Sequence, residues 1–204
     1  MIKDRYTPKL VIYDITPSFD LLGGDDDHKY LKWLRSYYDR ECVREVFEDV
    51  DETEKFKMLS NLYRYNSNFV QIVADCVHPF QSSGINGYRP LYGEMPDLAL
   101  EEDKEGSLIV YDGLKEDYWN KWLNEEREYQ MVVVISPIYG GMREEQYAPV
   151  EALCAAKGIP FLNFAESEKY ISSNEYFNDM VHLNSKGADE FTKDLVAALK
   201  GMGI

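Results

Sequence analysis

Six residues constrain this chain most: Met131-Val132-Val133-Val134-Ile135-Ser136, closed by Pro137. β-Branched side chains crowd a helix but suit a pleated strand. The run shows no polar alternation, so both of its faces are buried, which is the mark of a parallel sheet covered on each side by helices. Lys9 to Ile15, ended by Thr16-Pro17, reads the same way, as does Pro160 to Phe164; Ser107 to Tyr111 reads as an edge or hairpin strand. Helical patterns lie between them. Glu116 to Glu128 precedes the Met131 strand, and Pro149 to Lys157 follows it, with Pro149 in a first turn and Gly158 past the end. From Lys186 to Lys200 the apolar positions Ala188, Phe191, Leu195 and Leu199 form one stripe. Strand alternating with helix is an α/β fold with a mostly parallel sheet.

We read the 204 residues as a single domain, 1–204, in which 21–105 is a helical insertion folding over one edge of the sheet. Two helical patterns fill the insertion, about His28 to Phe47 and Glu52 to Val77, before a Gly/Pro/Asn-rich loop from Ser82 to Pro90. With 37 acidic against 22 basic residues the net charge is −15, which repels phosphate backbones and excludes nucleic acid as the expected partner. No apolar run approaches the roughly 18 residues of a membrane span. Three widely spaced cysteines without a Cys-x-x-Cys indicate neither a disulfide framework nor a zinc knuckle. Sixteen tyrosines suit a Tyr-lined ligand groove or half-buried packing.

The chemistry concentrates in Asp179-Met180-Val181-His182-Leu183-Asn184-Ser185-Lys186-Gly187, just before the last helix. An Asp three residues ahead of a His can hold the imidazole in one tautomer and stabilise the imidazolium formed when the ring takes a proton. A surface Asp–His pair, with Asn184 or Ser185 merely capping the helix, has the same spacing.

Asp-x-x-His-Leu-Asn-x-x-Gly followed by an amphipathic helix resembles the last block of the SGNH (GDSL-type) hydrolases, the Ser–Asp–His esterase and acetylhydrolase superfamily. Val132 to Tyr139 resembles the penultimate strand of the family's cell-envelope acyl-transfer members, and Leu10 to Asp20 the strand and loop of its third block. The resemblance implies a flavodoxin-like three-layer α/β/α sandwich and ester hydrolysis or O-acyl transfer, with acetyl groups on carbohydrate as the expected substrate. It also implies a cell-envelope or periplasmic setting and no metal or organic cofactor. His182 then corresponds to the general base and Asp179 to its orienting carboxylate, while Asp20, Ser136, Tyr139 and Asn184 fall at the substrate side. Two departures stand out: no Gly-Asp-Ser occurs, and the third-block loop reads Thr16-Pro17-Ser18-Phe19-Asp20 without its Asn. Either the first strand and its Ser lie upstream of Met1, or Lys9 to Ile15 is the first strand and Ser18 takes the nucleophile's place. A degenerate, non-catalytic carbohydrate-binding module is the rival reading.

Other residues carry two readings each. Ser136 faces a site or satisfies backbone groups beside Pro137. Gly140-Gly141 forms an oxyanion-type loop or a plain turn. Arg64 beside Tyr63 and Tyr65, and Arg89 beside Tyr88, hold an anionic or sugar ligand or pair with internal carboxylates. Gly23 to His28 lacks EF-hand spacing and reads as a solvated loop rather than a metal site. Trp119 and Trp122 read as packing.

Overall fold

The computed structural model describes residues 7–16, 20–23, 29–65, 69–77, 88–96 and 109–204. Three strands, β1 (Leu10–Asp14), β2 (Gln130–Ile135) and β3 (Phe161–Asn163), form an all-parallel sheet in the order β1-β2-β3. Leu10 stands opposite Gln130 and Asp14 opposite Val134, while Val133 faces Phe161 and Ile135 faces Asn163. The shared direction puts Asp14, Ser136 and Asn163 at one end of the sheet, beyond the strands' carboxyl termini. Ligands of open α/β sheets gather at that edge.

Eight α-helices belong to the described residues. Four lie in the insertion: α1 (Glu41–Val50), α2 (Glu54–Lys57), α3 (Asn61–Tyr65) and α4 (Phe69–Val77). The others are α5 (Gly113–Asn124), α6 (Glu144–Ala156), α7 (Glu168–Ile171) and α8 (Ser185–Gly201). The period-two alternation of β2 divides the core. Met131, Val133 and Ile135 pack under Trp119 and Leu123 of α5 and Val150 and Cys154 of α6. Val132 and Val134, on the other face, pack against Leu195 and Leu199 of α8. Helices on both faces make three layers around an open parallel sheet, as the valine run requires. Each fully buried aliphatic side chain contributes about 1.5–3 kcal/mol, so β2 is the anchor of the domain.

Several expected boundaries move, each for a local reason. Helix α5 starts at Gly113 because the Asp112 carboxylate accepts from the N–H groups of Leu114 (2.9 Å) and Lys115 (3.2 Å). Helix α6 starts at Glu144, so Pro149 lies inside it rather than in its first turn. A proline there leaves the carbonyl four residues back without its partner. That carbonyl belongs to Glu145, and the Tyr111 hydroxyl donates to it. Gly158 takes φ +64° past the end of α6, as expected. The Ser107–Tyr111 strand is not formed in its described part: Tyr111 makes only an isolated antiparallel bridge with Leu22, and Ser107 and Leu108 lie outside the described residues.

The two long insertion helices are each broken. The first is a 3₁₀ segment, Lys29–Tyr37, followed by α1, and the second is interrupted between α2 and α3 at 58–60. Between α2 and α3 the Leu59 and Ser60 N–H groups donate three residues back, to the carbonyls of Phe56 (3.3 Å) and Lys57 (3.1 Å), and the Ser60 hydroxyl accepts from the Tyr63 N–H at 3.4 Å, a local turn that competes with helix. The insertion has its own small core of Leu31, Val43, Phe47 and Met58. Tyr118 of α5 reaches it by donating to Asp49 at 2.6 Å. Trp119, Trp122 and Tyr13 pack edge to face with centroids 4.9–5.4 Å apart, so the tryptophans are packing residues, as read from the sequence.

Candidate active site

The loop between α7 and α8 is built by hydrogen bonds before any chemistry enters. Phe177 and Leu183 bridge antiparallel, and the Asn178 N–H donates to the His182 carbonyl at 2.8 Å. At its tip Asp179 folds back on its own backbone. Oδ1 accepts from the N–H groups of Val181 (3.0 Å) and His182 (2.9 Å). Both carboxylate oxygens lie 2.9 Å from Nδ1 of the His182 ring. Burial pushes the Asp179 pKa up, but the Val181 N–H and the His182 ring outweigh it, and the net pKa falls below the ordinary carboxylate value. The carboxylate is therefore ionised where the ring needs it, with Nδ1 engaged and Nε2 left to act.

His182 borders a cavity of about 400 Å³ above the carboxyl ends of β1 and β2, walled by Asp14, Ser136, Tyr88, Arg89 and Val181 among others. Asn184 explains how residues 90 sequence positions away arrive there. It is buried and caps α8, its Oδ1 accepting from the Gly187 N–H at 2.9 Å. Its amide also donates to the carbonyls of Gly93 (2.8 Å) and Glu175 (2.9 Å). The Ser185 N–H donates to the Leu91 carbonyl at 2.8 Å, and the Met95 N–H to the Phe177 carbonyl at 2.8 Å. Residues 88–96 are thus laid along the histidine loop, which brings Tyr88 and Arg89 to the cleft.

Of the residues singled out from the sequence, His182, Ser136, Tyr88 and Arg89 line this cavity, with Asp179 behind the ring. Four others are placed elsewhere. Asn184 is the buried cap just described. Tyr139 is buried with its ring 5.8 Å from that of Phe177. Arg64 is paired with Asp39 at 2.7 Å, the carboxylate reading of its two. Asp20 accepts from the Thr16 N–H at 2.8 Å and borders a smaller hollow with Lys115 and Trp119. Ser18 lies outside the described residues, as do Asp25 to His28. Gly140 and Gly141 both have positive φ, but their N–H groups donate to the carbonyls of Ile171 and Ile138, so they form a turn and offer no oxyanion donor. Among the described residues no three His, Cys, Asp or Glu side chains are grouped to hold a metal.

Sequence reasoning missed Asp14. The signal for it was a carboxylate at the carboxyl end of a strand, at the edge where such sheets collect polar groups. Asp14 accepts from the N–H (3.1 Å) and the hydroxyl of Ser136. Burial raises its pKa, against the lowering effect of those two bonds. A carboxylate whose folded pKa is raised stabilises the fold below its ordinary pKa and loses that contribution as pH rises through the raised value. Asp14→Asn keeps an acceptor for Ser136 and removes the charge. It is expected to raise the melting temperature at about pH 7 and leave it unchanged at about pH 3; a pH-independent effect would refute this assignment.

Comparison with known proteins finds no matching family model, no matching curated protein and no matching solved structure.

Proposed function

We propose that the cleft carries out ester hydrolysis or O-acyl transfer, with acetyl groups on carbohydrate as the substrate class. The observation that carries this reading is the His182 ring, gripped at Nδ1 by both oxygens of Asp179 while it borders the cavity at the strand ends. In the reaction Nε2 takes the proton of an attacking hydroxyl as that oxygen bonds to the acyl carbon. Asp179 balances the charge of the imidazolium, which returns the proton to the departing sugar oxygen. Ser18 is the proposed nucleophile. It follows strand β1 closely in sequence, as that role requires. Cys154 does not compete for the role: it is fully buried under β2, and burial pushes its thiol up to about 11.

The test is hydrolysis of p-nitrophenyl acetate and of an acetylated xylo-oligosaccharide by wild type and Ser18→Ala. Loss of turnover in the variant supports the assignment, and unchanged turnover places the nucleophile elsewhere. One observation favours a second reading, a carbohydrate-binding module without catalysis: among the described residues no hydroxyl or thiol is hydrogen-bonded to Nε2. Calorimetric binding of the acetylated oligosaccharide with no release of acetate would select it.

A further inference from the structure

Several guanidinium groups of this chain are already engaged inside the protein. Arg64 is spent on Asp39, Arg127 donates to the carbonyls of Leu123 (2.6 Å) and Trp122 (3.2 Å), and Arg35 stacks on Tyr63 with its Cζ 4.1 Å from the ring centroid. Arg89 lines the cavity bordered by His182, and no hydrogen bond or ion pair holds it among the described residues. The residue is exposed to solvent at the edge of that cavity. The two carboxylates described at the site do not answer it. Asp14 is engaged by Ser136, and Asp179 by His182 and two backbone N–H groups. The cleft therefore presents five N–H donors in a planar fork with no acceptor supplied by those carboxylates.

We infer that Arg89 is a specificity-determining residue that docks an anionic oxygen group, a carboxylate or phosphate carried by the sugar substrate, beside His182. This rests on the reading of the cleft as a substrate site. The guanidinium plane matches such a group with two parallel hydrogen bonds, which a neutral hydroxyl cannot reproduce. Tyr88, next to it in the wall and half exposed, offers an aromatic face for the sugar ring. The cavity of about 400 Å³ falls within the range of small-ligand sites. The net charge of −15 does not oppose docking at contact range, because at physiological salt it is screened beyond roughly 8 Å.

The experiment is an NMR titration of the whole chain with glucuronate, glucose 6-phosphate and glucose at constant ionic strength, following the Arg89 Nε–Hε signal and the His182 ring. Both anions are expected to shift these signals and glucose is not; the stronger of the two anions identifies whether carboxylate or phosphate is the natural group. Arg89→Gln should weaken the anions about tenfold or more, and Arg89→Lys, which keeps the charge and loses the fork, should fall between. Equal shifts with glucose, or unchanged glucuronate affinity in Arg89→Gln, overturn the inference. The proposed reaction is separable from it. His182→Ala removes turnover of p-nitrophenyl acetate while keeping anion docking, so loss of turnover there with the glucuronate shifts intact tests the reaction alone, and the Arg89→Gln titration tests the docking alone.

Discussion

Gly187→Ala is expected to destabilise the domain by about 3 kcal/mol, although it places a better helix former inside a helix. Propensity alone favours alanine by about 1 kcal/mol. The opposing contact decides the sign. A Cβ on Gly187 would sit 2.0 Å from the carbonyl oxygen of Tyr176, 2.9 Å from its carbonyl carbon and 3.0 Å from Leu183 Cδ2. The first two are backbone atoms and cannot swing aside. The same Tyr176 oxygen accepts from the Asn184 N–H at 2.9 Å, so backing it away breaks that bond and loosens the cap of α8. Overpacking costs typically 1–3 kcal/mol where the backbone yields, and more where hydrogen bonds go with it. For a chain of this size the melting temperature should fall by roughly 10 °C. Because Asn184 also ties down residues 88–96, the walls of the cleft move as well, and ester turnover should fall with stability. Urea unfolding gives the measurement. A midpoint equal to or above wild type would show that α8 is free to slide, and the packing account of this glycine would then fail.

That glycine shows what the sequence made legible and what it hid. The Asp-x-x-His spacing made the Asp179–His182 contact legible, because a carboxylate three residues before a histidine can close on it through local backbone alone, and here it does. The reason for the glycine was hidden, since Tyr176 is distant in sequence from the helix turn that it touches. Asn184 shows the same limit. Its type suited a cap or a ligand contact, and only its burial beneath Gly93 and Glu175 selects the cap. Strand β2 was readable because its β-branched run reports burial on both faces directly, whereas β1 read the same way but stands at the sheet edge with Ile12 41% exposed. The breaks inside the insertion's helices were not readable, because a local turn such as the one before α3 at Ser60 interrupts an apolar periodicity that continues through it. Asp14 was passed over because one carboxylate at a strand end has no motif, and only the parallel register brings it beside Ser136.

His182→Ala should lower kcat by 10³-fold or more, and Asp179→Asn by about 10²-fold, if the ring is the base and the carboxylate its partner. The two differ because they remove different things. Alanine removes the only group of the dyad that can take the proton. Asparagine keeps an oxygen for the N–H groups of Val181 and His182, so the loop holds. Its amide nitrogen then competes for the face toward Nδ1 and favours the wrong tautomer. In a buried triad that error costs about 10⁴-fold. Here the His182 and Asp179 side chains are 64% and 50% exposed, so water can replace part of the lost interaction. The pH dependence carries an independent sign. The Asp179 pKa is lowered in the fold, so its contribution to stability is present above the ordinary carboxylate pKa and is lost as pH falls through the lowered value. Asp179→Asn should therefore be less stable than wild type at about pH 7 and equal to it once the pH is well below 4. Turnover by His182→Ala at the wild-type rate would end the assignment of the base. A wild-type rate in Asp179→Asn, with the ring still essential, would leave the imidazole working without its carboxylate.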